Sequence, residues 1–188
     1  MDWTPRQASI AAALSLIGMA VLGPLAAFGV LADGPAGLAM TGVAILDIVV
    51  GVALWRVLAP THGSLAVLAA TLRIAYAAVL VVAAGRLSAG AHAEFESIWD
   101  AGLAIFGLHL VVVGGLLVSR PGFARVTGIL VAVAGAGYLA DAIAALLVPG
   151  TVLGVATFTF VGELVLIVWL FMRGGRPVVT RRVAAVAV

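Results

Sequence analysis

Six long apolar runs alternate with short polar segments along this chain. The runs cover residues 7–31, 38–57, 64–85, 98–119, 126–148 and 151–172. A helix of about 20 residues at ~1.5 Å rise per residue crosses a ~30 Å hydrocarbon layer, so each run is long enough to span. Most breaks between them read as turns: Ala32 to Gly37 (ADGPAG), Leu58 to Gly63 around Pro60, and Arg120 to Arg125 (RPGFAR). The longest and most polar connection is Arg86 to Ile98, RLSAGAHAEFESI. Within it, Ser97-Ile98-Trp99-Asp100 has the Ser-x-x-acid form of a capping box, which predicts that the fourth span starts there. The pattern predicts an all-α protein, a six-transmembrane-helix bundle forming one integral membrane domain over residues 1–188, with a basic tail at 173–188. The first run exceeds the apolar stretch of a secretory signal and further spans follow, so it reads as a retained helix. Pro24 inside it predicts a kink.

Composition agrees with lipid as the solvent. The chain is 64% hydrophobic and 10% charged, against about a quarter charged in a soluble domain. Cysteine is absent, which excludes disulfides, thiolate metal sites, Cys nucleophiles and S-palmitoylation. Lysine is absent too, all ten basic residues being Arg, so a lysine Schiff base is excluded. A net charge of +2 does not argue for nucleic acid as a partner. The positions of the arginines carry more. With six alternating spans, Arg6, Arg56, Arg120, Arg125, Arg173, Arg176, Arg181 and Arg182 fall on one side and only Arg86 on the other. By the positive-inside rule both termini are then cytoplasmic. Arg without Lys, among abundant Ala, Gly and Val, fits a GC-rich bacterial genome, hence a multi-pass protein of the bacterial inner membrane. The lipid bilayer is the expected partner, and the basic tail is expected to lie on anionic lipid.

Ionisable residues inside the runs are the candidate chemistry. Asp47, Arg73, Tyr76, His109, Tyr138, Asp141 and Glu163 all fall within predicted spans. Each charged group costs several kcal/mol in lipid unless it faces a partner or a cavity. Counting ~1.5 Å per residue from the turns puts Asp47 and Arg73 at similar depth, which predicts an ion pair between the second and third helices. His109 and Glu163 share that layer; Tyr76 and Asp141 lie farther from the Arg-rich side. Tyr138, three residues before Asp141, connects the two levels on one helix face. Three carboxyls against one Arg and one His do not balance, so at least one carboxyl is expected to be neutral, to hold a cation, or to be reached by water.

Bland readings stand beside this one. Asp47 and Arg73 can act only as a clamp between helices, His109 can bond a backbone carbonyl, and the tyrosines can be packing residues. A single intramembrane His cannot supply two haem ligands, and no GxSxG elbow is present. A metal-hydrolase set of His109, Asp141 and Glu163 is conceivable by residue type, but the depths differ and no HExxH-like spacing occurs. His92, Glu94 and Glu96 read as a solvated segment rather than a metal site. No cofactor is predicted. The expected ligand is a small solute, an ion or a proton, in transport or sensing; the alternatives are a structural or partner-binding membrane subunit and, more weakly, a metal-assisted enzyme.

The segments RIAYAAVL (Arg73 to Leu80), GLAIFGLHLVVVGGLLVSRPGFARVTGIL (Gly102 to Leu130), AGAGYLAD (Ala134 to Asp141) and GELVLIVWL (Gly162 to Leu170) resemble a bacterial membrane family catalogued as domain of unknown function 4386. The resemblance implies a six-helix inner-membrane protein and brings no established activity.

Overall fold

In the computed structural model, residues 3–148, 151, 153–172 and 174 are described. The predicted end of the fifth span at Pro149-Gly150, and Arg173, Arg176, Arg181 and Arg182 of the basic tail, lie outside them. The helices are α1 (Pro5–Ala27), α2 (Asp33–Leu58), α3 (Gly63–Ser88), α4 (His92–Val118), α5 (Phe123–Leu147), α6 (Val155–Thr159) and α7 (Val161–Met172). No strand occurs among the described residues. With α6 and α7 taken together, six helices are long and apolar enough to cross a membrane.

The local sequence explains most boundaries. Thr4 caps α1: its Oγ1 accepts from Gln7 N at 3.2 Å, and Gln7 Oε1 accepts from Thr4 N at 2.9 Å, with Pro5 in the first turn. Pro24 falls in the last turn of α1, and the helix stops three residues later at Ala27 instead of running on to Leu31. Gly122, at φ 71°, takes the left-handed conformation that turns the chain from α4 into α5.

The connection between α3 and α4 is a correction. It is only Ala89–Ala91, with Gly90 at φ 72°, and α4 begins at His92, not at Ser97. Phe95, Ile98 and Trp99 recur at helical spacing, with Phe95 buried and its ring 5.3 Å from that of Trp99. That apolar stripe outweighs the capping signal, and Ser97 lies exposed inside the helix.

The first five helices each pack on the next, α6 and α7 both pack on α5, and α7 returns to α1, so the spans close a ring. The closure uses the carbonyls that α7 leaves unpaired at its end. Arg6 Nη1 donates to Leu170 O (2.9 Å) and Gly174 O (3.1 Å), Arg6 Nη2 donates to Phe171 O, and Ser9 Oγ donates to Leu170 O (2.7 Å). At the same end, Arg120 donates to Thr61 Oγ1 (2.7 Å) and Val57 O (3.0 Å) and lies over the Trp169 ring, joining the turn after α4 to α2 and α7. Apolar side chains such as Leu38, Val67, Ile129 and Val168 point outward, as lipid-facing positions must.

The most extensive packing is between α4 and α5. Gly107 and Gly114 face Gly135 and Gly128, both pairs spaced by seven residues, two helical turns. A Cβ on Gly114 would stand 2.6 Å from Gly128 O, and one on Gly135 would stand 2.5 Å from Gly107 O. Adjacent Gly115 points into open space. Gly114→Ala and Gly135→Ala should therefore each destabilise the fold by about 1–3 kcal/mol, while Gly115→Ala leaves it unchanged or slightly stabilised. Thermal unfolding of the three variants in detergent checks this ordering.

Candidate functional site

The intramembrane polar residues meet in the middle of the ring. Asp47 lies on α2, Arg73 on α3 and His109 on α4, all with no exposed surface. Arg73 Nη2 is 2.6 Å from Asp47 Oδ1. This approach is an ion pair by distance but lies off the N–H direction: neither Asp47 oxygen has a directed hydrogen bond, and neither has Arg73 Nε. Arg73 Nη1 is 3.2 Å from His109 Nε2, and His109 Nδ1 is 2.8 Å from Ala69 O. A guanidinium can only donate and a carbonyl can only accept. His109 must therefore carry its proton on Nδ1 and accept at Nε2, which makes it neutral (a tautomer assigned from its partners). Arg73 also lies 5.2 Å from the centroid of Phe106, and its Nη2 contacts Met19 Sδ of α1 at 3.8 Å.

An aromatic group continues this core toward the opposite end of the ring. The rings of Tyr76 and Tyr138 are 5.0 Å and 5.1 Å from Phe106. Tyr76 OH accepts from Trp99 Nε1 at 2.9 Å. Tyr138 OH donates to Glu163 Oε1 at 2.8 Å. Glu163, in the first turn of α7, is partly exposed, unlike Asp47. Among the described residues no donor reaches its second oxygen, Oε2. Five ring helices bring polar or aromatic groups to this core (α2, α3, α4, α5 and α7), and α1 contributes Met19.

Asp141 is placed apart from the other candidates. Its Oδ1 and Oδ2 accept from Val155 N (3.0 Å) and Ala156 N (2.8 Å), so it caps α6 from α5. The sixth span differs from the continuous helix predicted over 151–172. It begins only at Val155, after Gly154, with a single tightened turn at Phe160 whose N–H still bonds Ala156 O, and Asp141 satisfies backbone donors that the late start leaves open. His109, Asp141 and Glu163 do not converge, and both nitrogens of His109 and both oxygens of Asp141 are already engaged. No group of three metal-ligating side chains occurs among the described residues.

Phe106, Trp99 and Met19 complete the core and were not among the candidates. Phe106 had a usable signal, since it stands three residues before His109 on the same helix face. Met19 and Trp99 are ordinary members of apolar runs.

The sequence model of a family described as Domain of unknown function (DUF4386) matches residues 86–174. A protein of Archaeoglobus fulgidus described as an uncharacterized protein is 33% identical over 132 residues, 69% of this chain and 78% of the relative. The chain belongs to the DUF4386 family. No solved structure matches it. The DUF4386 match runs from the end of α3 through α7 and so contains His109, Phe106, Tyr138, Asp141 and Glu163, whereas Asp47, Arg73 and Tyr76 precede it.

In this DUF4386 protein the Asp47–Arg73 pair dominates local energetics. Removing one partner leaves a buried charge uncompensated, which costs about 3–5 kcal/mol; removing both removes the problem. Arg73→Met should destabilise the protein by that amount, and Asp47→Leu combined with Arg73→Met should recover most of it. A double-mutant cycle measured by chemical denaturation in detergent checks the coupling.

Proposed function

We propose that this protein is a membrane carrier or sensor that works by proton exchange at Glu163. The observation that carries the reading is a charge count. Arg73 is paired with Asp47, His109 is neutral by its bonding, and Asp141 is spent on backbone N–H groups. Glu163 is then left with a tyrosine hydroxyl and no counter-charge among the described residues. A carboxyl at this depth is neutral when protonated, or needs a cation when it is not. Glu163 and Asp141 are partly exposed while Asp47 is fully buried, and Asp141 is already bonded through both oxygens, which leaves Glu163 as the carboxyl suited to exchange.

The end that carries Arg6, Arg56, Arg120 and Arg125 faces the cytoplasm in this reading, by the positive-inside rule. The other end carries Asp33, Glu94, Glu96 and Asp100 beside Arg86 and His92. The membrane is a bacterial inner membrane, on the composition argument above. A second reading, a membrane subunit whose polar core only fixes helix packing, is supported by the complete burial of Asp47, Arg73 and His109.

Infrared difference spectroscopy on lipid-reconstituted protein tests the first reading. Between about pH 4 and 9 a protonated-carboxyl band should appear and vanish, and it should be missing in Glu163→Gln. If no such band titrates, or if the band survives Glu163→Gln, proton exchange at this residue is wrong.

A further inference from the structure

Three polar atoms of the buried ion pair are left over by the packing around them. Asp47 Oδ1, Asp47 Oδ2 and Arg73 Nε make no directed hydrogen bond, and both side chains are fully buried. The guanidinium does not turn to offer Nε and Nη2 side-on to the carboxylate, because Nη1 is held on His109 Nε2 and Phe106 lies against its face. Protonating Asp47 would not repair this. The pair would lose its negative member, and a hydroxyl donor would join Nε, already a donor without an acceptor. A buried polar atom left unmet costs more than a made hydrogen bond returns.

A second feature lies on the same interface between α2 and α3. Gly51 is buried four residues after Asp47, on the same face of α2. The glycines between α4 and α5 are forced by contact: a Cβ on Gly107, Gly114, Gly128 or Gly135 would come within 2.5–2.7 Å of a facing backbone atom. Gly51 is not forced in this way. A Cβ there would meet Ala70 O at 3.4 Å, Ile74 Cγ1 at 3.5 Å and Arg73 Cβ at 3.7 Å, all ordinary contact distances. A space about the size of a methyl group is thus left beside the stem of Arg73. Side chains tilt toward their own helix N-terminus, so the side of Gly51 that carries this space leans toward Asp47.

The chemistry of the three atoms selects what belongs there. Asp47 asks for a donor and Arg73 Nε for an acceptor. A metal cation or an ammonium ion cannot accept from Nε and would add positive charge beside a guanidinium. An anion such as chloride cannot donate to a carboxylate. The occupant must be neutral, must both donate and accept, and must be no larger than a methyl group. Ala70 O borders the space and offers a third bond, since a helical carbonyl has a second lone pair. About three polar partners is what an internal water molecule has.

We propose that one structural water lies beside Gly51, accepting from Arg73 Nε and donating to Asp47 and to Ala70 O. It completes the hydrogen bonding of the pair while Asp47 stays ionised and Arg73 charged. Such a water is independent of proton exchange at Glu163.

Gly51→Ala tests this by the sign of its effect. An alanine that fits inside a helix stabilises it, raising the thermal unfolding midpoint in detergent by about 2–4 °C. In the native chain the methyl expels the water, and the midpoint should fall instead. In the combined Asp47→Leu and Arg73→Met background, where the water has neither partner, Gly51→Ala should raise it. No fall in the native chain would overturn the proposal, because the space is then dry. A fall in both backgrounds would overturn it too, because packing alone then excludes the methyl. Should the combined variant not fold, a structure of the unaltered chain that resolves internal water decides alone. One peak at roughly 2.7–3.2 Å from both Arg73 Nε and an Asp47 oxygen is expected. No peak there, or a peak with a rubidium anomalous signal after exchange into rubidium chloride, would contradict it.

Discussion

The arrangement of this bundle depends on where one guanidinium can go. Arg73 is fully buried on a helix that crosses hydrocarbon, and it cannot lose its charge. It must be surrounded by groups that accept hydrogen bonds or carry negative charge. Asp47 supplies the charge, His109 an acceptor nitrogen, Phe106 a ring face and Met19 a sulfur. These come from three neighbouring helices, so satisfying one side chain fixes how α1, α2 and α4 pack around α3. The requirement propagates further: His109 is oriented by Ala69 O, back on α3. The same packing brings Phe106 against Tyr138, whose hydroxyl reaches Glu163 on α7.

Other devices hold the perimeter. Glycine pairs two turns apart let α4 and α5 approach until their backbones nearly touch. Arginines at one end reach the unpaired last-turn carbonyls of α7 and α2. The two ends of the ring differ in consequence. The Arg-rich end is fastened by side chain to backbone contacts between helices distant in sequence. The opposite end carries the Asp141 cap on α6 and two exposed pairs, Arg86 with Glu94 at 3.3 Å and His92 with Asp33 at 3.2 Å, and exposed pairs contribute little.

Much of this was legible in the sequence because membrane helices convert residue number into depth. Counting from the turns put Asp47 level with Arg73, and the two pair. The number of spans followed from run length alone. Other features were illegible for identifiable reasons. The start of α4 lies earlier because Phe95, inside the polar-looking segment His92 to Ser97, extends the apolar stripe of Ile98 and Trp99 back by one turn. The role of Asp141 was hidden because its partners are backbone N–H groups, exposed by a helix start at Val155 that the apolar run 151–172 does not announce. The charge imbalance was visible from the start, but not which carboxyl bears it, because that depends on the protonation state of His109.

His109 is thus the hinge of the account. If it is neutral, Arg73 and Asp47 cancel and Glu163 is the carboxyl without a counter-charge. Solid-state nitrogen NMR of histidine-labelled protein in lipid at neutral pH measures this directly, with His109→Gln identifying the resonance. The account predicts a neutral ring with a protonated Nδ1 and an unprotonated Nε2. An imidazolium, with both nitrogens protonated, would give Glu163 its missing positive charge and contradict the account.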